Sequence, residues 1–175
     1  MTFLDSNLLS LIIFSPLIGL IDVAALPKHS AKLIRWAGFI TTLIPLALSL
    51  LAWFRFVPGQ AGYQFEEIAP WFPQIGVSYR VGVDGISLPL VLLTALLAPL
   101  AALVSFSITE RVKAYFVLYL LLEAAMLGTF AALDLIIFFI FFEFTLVPMM
   151  LLIMLWGGEH RNYASFKLAL ASLAG

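Results

Sequence analysis

Charged residues divide this chain into apolar stretches long enough to cross a membrane. Five largely apolar runs lie between them, at about 7–26, 33–56, 86–108, 114–133 and 135–155. A bilayer core needs about 20 such residues per helix, so each run predicts one complete span. From Ala114 to Trp156 only Glu123, Asp134 and Glu143 interrupt the apolar sequence. As a single helix that stretch would be about 64 Å long at 1.5 Å per residue, twice the membrane, so it must fold back. Asp134 is the natural turning point, because a carboxylate is far cheaper at the interface than at the bilayer centre. A sixth run, 162–175, is too short to cross. Its last carbonyls would lie in lipid without partners, so residues 1–175 read as the N-terminal part of one longer membrane domain.

The long polar segment between the second and third spans, 57–85, carries Pro58, Pro70, Pro73 and several glycines. Within it Val77, Tyr79, Val81 and Val83 alternate with Ser78, Arg80, Gly82 and Asp84, the period of a half-buried strand. Tyr63 and Phe65 alternate with Gln64 and Glu66 in the same way, which predicts a small hairpin with 63–67. Asp84 stands where an N-cap of the third helix belongs. The predicted fold is therefore an all-α polytopic bundle with one external β-hairpin.

Composition agrees with this pattern: 63% of residues are apolar, 11% are charged, and the mean hydropathy is +1.11. A soluble domain carries about 25% charged residues, so that class is excluded. Nine basic and ten acidic groups give a net charge of −1, which leaves no basic surface for nucleic acid. Absence of cysteine removes disulfides, thiolate zinc sites and iron–sulfur ligation. The two histidines, His29 and His160, are too scattered to hold a metal. Lys28, Lys32, Arg35, Arg111, Lys113, Arg161 and Lys167 follow odd-numbered spans, whereas the even-numbered side has Arg80 and Arg55. The positive-inside rule then places the N-terminus and the 57–85 loop outside, and 27–32, 109–113 and 157–162 in the cytoplasm. Without a basic residue ahead of the first span, a cleavable signal peptide is not expected.

The chemistry rests on Glu123 and Glu143, which lie inside spans. A charged carboxylate at the bilayer centre costs about 2.5–3.5 kcal/mol or more, so each is a functional candidate by default. Each is ten residues from Leu133, about 15 Å down its own helix. Antiparallel neighbours would hold both carboxyls at one depth and, if they face each other, in one relay. Burial disfavours the ionised form, so such a group can hold a proton and release it when a cation approaches. Pro148 supports Glu143, because it has no N–H for the carbonyl of Phe144 and so frees a polar backbone group nearby. Thr145 adds a hydroxyl. The bland alternative is that both glutamates stay protonated and act as glue between helices, worth about 0.6 kcal/mol on average. Lys167 is expected to snorkel to the interface or else to face a polar interior. No nucleotide loop, dinucleotide fingerprint or catalytic triad is present, and VGVDGIS at 81–87 has no βαβ context.

The segments YRVGVDGISLPLVLLTALLAPL (79–100), FFEFTLVPMMLLIMLWGG (141–158) and YASFKLALASLAG (163–175) resemble the antiporter-like, proton-translocating membrane subunits of NADH-quinone oxidoreductase (complex I), in the subunit M or chain 4 group. That resemblance implies an all-helical subunit of about fourteen spans built as inverted repeats, a common transporter plan. It further implies that Glu143 pairs with a lysine on a later broken helix, and that Glu123 matches the family's fourth-helix glutamate. Near Ala171 and Ser172 the sixth run departs modestly from the family pattern. NADH, flavin, iron–sulfur clusters and quinone are expected on other membrane and peripheral subunits, with no cofactor or metal on this chain, in a cell (inner) membrane. Two other readings are a subunit of a multisubunit cation/proton antiporter and a non-catalytic membrane scaffold.

Overall fold

The structure, a computed structural model, describes residues 6–174. Among these residues six helices appear in chain order: α1 (Leu8–Ala25), α2 (Ala31–Arg55), α3 (Ser87–Val104), α4 (Val112–Ala131), α5 (Leu135–Trp156) and α6 (Arg161–Leu173). A 3₁₀ turn, Ser105–Ser107, extends α3. The first five helices are long and apolar enough to cross a membrane, as the runs of apolar residues require. Helices are the form such runs take because lipid offers no partner to backbone N–H and C=O groups. Pro16, Pro45, Pro99 and Pro148 lie inside four of them, which membrane helices tolerate when neighbours re-satisfy the freed carbonyls.

Close approach between helices uses small residues. A side chain at Gly19 of α1 would collide with Thr41 of α2, one at Gly38 of α2 with Phe116 of α4, and one at Gly128 of α4 with Phe141 of α5. Helix association in lipid depends on this kind of backbone proximity, since the tails are as apolar as leucine. Two buried clusters result. One joins Leu9, Ile12, Ile13, Leu88, Val91 and Leu127 near the hairpin, and the other joins Val23, Ile34, Phe116 and Leu120 at the opposite end.

The hairpin consists of β1 (Gln64–Phe72) and β2 (Val77–Val83), antiparallel, with Gln64 opposite Val83 and Glu67 opposite Val81. The sequence pattern placed the first strand at 63–67. The real strand runs five residues further, past Pro70, because irregular register near 64–67 and 70–72 absorbs what strict alternation cannot. The turn between α4 and α5 joins the sheet edge. Val81 bridges Ala132, and the N–H of Leu133 donates to the Arg80 carbonyl at 2.9 Å.

Polar groups from distant parts of the chain close the helix ends. Glu67 of β1 accepts from the N–H groups of Leu9 (2.7 Å) and Ser10 (3.1 Å) in the first turn of α1, and from the Ser10 hydroxyl. The Tyr79 hydroxyl lies 2.9 Å from that of Ser10. Burial pushes the Tyr79 phenol up to about 12, opposed by the Ser10 hydrogen bond and reinforced by the Glu67 charge. Asp84 accepts from the N–H groups of Ile86 and Ser87 at 2.9 and 2.7 Å, while Ser87 Oγ accepts from the Asp84 N–H. These bonds hold the Asp84 carboxyl below the usual carboxylate range. Asp134 caps α5 through the N–H groups of Ile136 and Ile137. At the other end Lys113 Nζ donates to the Leu26 carbonyl at 2.8 Å, Arg35 to that of Ile108 at 2.6 Å, and Trp156 Nε1 to that of Glu110 at 2.8 Å.

Glu67→Ala removes a cap whose loss costs about 0.5–2 kcal/mol. Amide exchange at Leu9 and Ser10 should accelerate while exchange in the middle of α4 is unchanged. Glu67→Gln keeps one acceptor and should give an intermediate rate. Unaltered exchange at Leu9 in Glu67→Ala would show that the hairpin does not hold α1.

Candidate functional site: two carboxyls within the spans

Tyr115, Tyr119 and Glu123 recur every fourth residue on α4, so they share one face. That face looks toward α3 across a cavity of about 360 Å³, to which Thr94, Leu97 and Ala98 of α3 and Tyr119, Glu123 and Met126 of α4 contribute. Glu123 is 3% exposed. Neither of its carboxyl oxygens has a hydrogen-bond partner. The nearby polar groups are engaged elsewhere: Tyr119 Oη donates to the Ala98 carbonyl at 2.5 Å, and Thr94 Oγ1 to the Leu90 carbonyl at 2.8 Å. An unpaired carboxylate in such surroundings is expensive, so an ionised Glu123 would need a cation beside it. The cavity has room for several water molecules at about 30 Å³ each.

Glu143 sits in a different setting. It is half-buried on α5, flanked by exposed Phe142 and Phe144. Pro148 is buried one turn further on. Thr145, expected to support the carboxyl, donates its hydroxyl to the Phe141 carbonyl of its own helix at 3.0 Å. Lys167 is exposed on α6, with Nζ 5.7 Å from the Tyr163 ring. Among the described residues no hydrogen bond or ion pair joins Lys167 to either glutamate.

Gly128 against Phe141 fixes the register of α4 on α5. Counting from that contact sets Glu123 level with about Leu146, roughly 4.5 Å along the axis from Glu143. The two carboxyls therefore share a depth to within about a turn. Their faces differ. Leu121, Ala124 and Ala125 meet Ile140, Phe141 and Phe144 around a common cavity between α4 and α5. At 3.6 residues per turn Glu123 lies about 200° from Ala125, and Glu143 about 200° from Phe141. Glu123 thus turns away from the α4–α5 seam, whereas Glu143, about 60° from Ile140 and about 100° from Phe144, lies beside it, and no hydrogen bond joins the two carboxyls. Depth follows from counting residues, whereas facing is set by the Gly128–Phe141 contact. Sequence reasoning also passed over Tyr119 and Thr94, although the four-residue spacing of Tyr115, Tyr119 and Glu123 was a usable signal.

Residues 132–175 match the family described as NADH:quinone oxidoreductase/Mrp antiporter, TM. Subunit M of the NADH-quinone oxidoreductase of Rhodobacter capsulatus is 40% identical over 173 residues, covering 97% of this chain and 33% of that protein. Chain 4 2 of the NAD(P)H-quinone oxidoreductase of Thermosynechococcus vestitus is 37% identical over 168 residues, covering 95% and 32%. Among solved structures, a chain of respiratory complex I from Thermus thermophilus with bound NADH superposes with a TM-score of 0.80 at 33% identity, covering 95% of this chain and 33% of that one. The chain spans about a third of the length of these relatives.

The facing of Glu123 depends on the α4–α5 contact, which can be tested directly. Gly128→Val should destabilise the full-length subunit by about 1–3 kcal/mol through overpacking. Adding Phe141→Ala should leave the double variant at least about 0.5 kcal/mol more stable than the two single losses added together. Thermal unfolding in detergent measures this. Simple additivity would mean that Phe141 does not lie over Gly128.

Proposed function

We infer that this chain, a homologue of the subunit M and chain 4 membrane proteins, forms part of a proton-translocating subunit of a respiratory NADH-quinone oxidoreductase. The observation that carries this reading is Glu123, a carboxyl buried within a span with both oxygens unpartnered. Glu143 adds a second carboxyl at nearly the same depth, beside the carbonyl that Pro148 frees. Intramembrane carboxyls facing cavities or helices are the usual elements of proton relays.

In this account Glu143 and Glu123 each alternate between neutral and charged forms. A carboxyl in apolar surroundings ionises when a cation comes near and reprotonates when it leaves. For Glu143 that cation is a lysine from a later helix of the full-length subunit. For Glu123 proton exchange runs through the cavity shared with α3. Lys167 belongs to the interface rather than to the relay. Redox chemistry, with NADH, flavin, iron–sulfur clusters and quinone, takes place on other subunits, and the energy reaches this chain through its contacts with them. The hairpin end faces outward, together with the N-terminus, and the end carrying Lys28, Lys32, Arg35, Arg111, Lys113 and Arg161 faces the cytoplasm of a bacterial-type inner membrane. A cation/proton antiporter subunit is the second reading, because the family description that fits 132–175 names both.

The test is Glu143→Gln in the full-length subunit, which keeps size and hydrogen bonding but cannot ionise. Proton pumping by membrane vesicles, and the quinone reduction coupled to it, should fall at least about tenfold with the content of assembled complex unchanged. Glu143→Asp should retain part of the activity. Wild-type pumping in Glu143→Gln would make the carboxyl a helix contact and the chain a scaffold at that position.

A further inference from the structure

At the end opposite the hairpin, a cavity of about 600 Å³ lies between the loop after α1 and the first turns of α4. Its rim carries Lys28, Arg111 and Lys113 together with Thr109, and its floor includes Val112 and Val117. Among the described residues no carboxylate lines it, so three cations share its wall. Lys113 is already oriented, since Nζ donates to the Leu26 carbonyl and keeps two further N–H groups. Arg111 is held in the left-handed region (φ 50°) as the N-cap of α4, and no side chain caps that helix. The first-turn N–H groups of α4 thus add their partial positive charge beside the cations.

The position matters as much as the charge. The rim sits where α1 ends and α4 begins, at the membrane surface, while Val112 and Val117 carry the cavity toward the hydrocarbon. Basic pockets between membrane helices at this level suit anionic lipid headgroups. We propose that Lys28, Arg111 and Lys113 form a binding site for the phosphate of an anionic phospholipid, with the glycerol and upper acyl chain resting on the floor of the cavity. Lys28 and Arg111 are exposed and supply most of the attraction, whereas Lys113 contributes both to the site and to the closure of α1. The site is independent of the proton relay.

Thr109→Cys places a reporter in the cavity wall. In the intact complex carrying the full-length subunit, stripped of lipid in neutral detergent, alkylation of that cysteine is followed by mass spectrometry of its peptide. Short-chain phosphatidylglycerol should slow the reaction at concentrations where phosphatidylcholine does not. Each removed cation should weaken this protection about fivefold, so Lys28→Gln with Arg111→Gln raises the required concentration roughly twenty-five-fold. Lys28→Arg with Arg111→Lys should keep protection near wild type, which separates charge from folding. Equal protection by inorganic phosphate would assign the site to a free anion and overturn the lipid. Equal protection by phosphatidylcholine, or none by either lipid, would overturn the site altogether.

Discussion

Lipid offers no partner to a backbone polar group, and several of these helix ends are met by side chains, some of them drawn from far along the chain. Glu67 on the hairpin receives the first N–H groups of α1, and Lys113 of α4 donates to the carbonyl of Leu26, just past the end of that same helix. Asp84 and Asp134 act locally, on N–H groups two and three residues on, at the starts of α3 and α5. These contacts do more than satisfy hydrogen bonds. They fix the height of α1 against the hairpin and of the hairpin against the α4–α5 turn, where Leu133 joins the strand edge at Arg80. The depth of Glu123 and Glu143 follows from that turn, so the placement of both carboxyls depends on how the helix ends are closed.

Sequence and structure agree most where the determining interaction is local. Span positions follow from run length, the turn at Asp134 from the cost of a buried carboxylate, and the Asp84 bonds from residues two and three positions on, although α3 itself begins later than expected, with Ile86 and not Asp84 as its N-cap. Agreement weakens where partners are remote. Glu67 stands 57 residues from Ser10 and Tyr79 stands 69 residues from it, and no local pattern marks them as neighbours. The first strand outran its predicted end for a related reason, since pairing with Val77 and Ser78 carries it past Pro70.

The facing of the two glutamates illustrates a further limit. A helix of a soluble protein reveals its buried face by periodic polarity, but α5 is apolar nearly all round. Glu143 and Thr145 are its polar side chains. Nothing in that pattern tells which side meets α4, and the answer lies in the fit of Phe141 against a glycine. Once that contact is made, Glu123 looks into the α3 cavity and Glu143 lies half-buried beside the α4–α5 seam.

The claim at the centre of this account is that Glu123 exchanges a proton during turnover. Infrared difference spectra of the intact complex, recorded between resting and reducing conditions, report the carbonyl stretch of protonated carboxyl groups. The expected result is a band in that region that appears or disappears with turnover and that is missing from Glu123→Gln, with assembly of the complex preserved. Identical difference spectra for wild type and Glu123→Gln would mean that this carboxyl never changes its protonation state, and that its burial is packing alone.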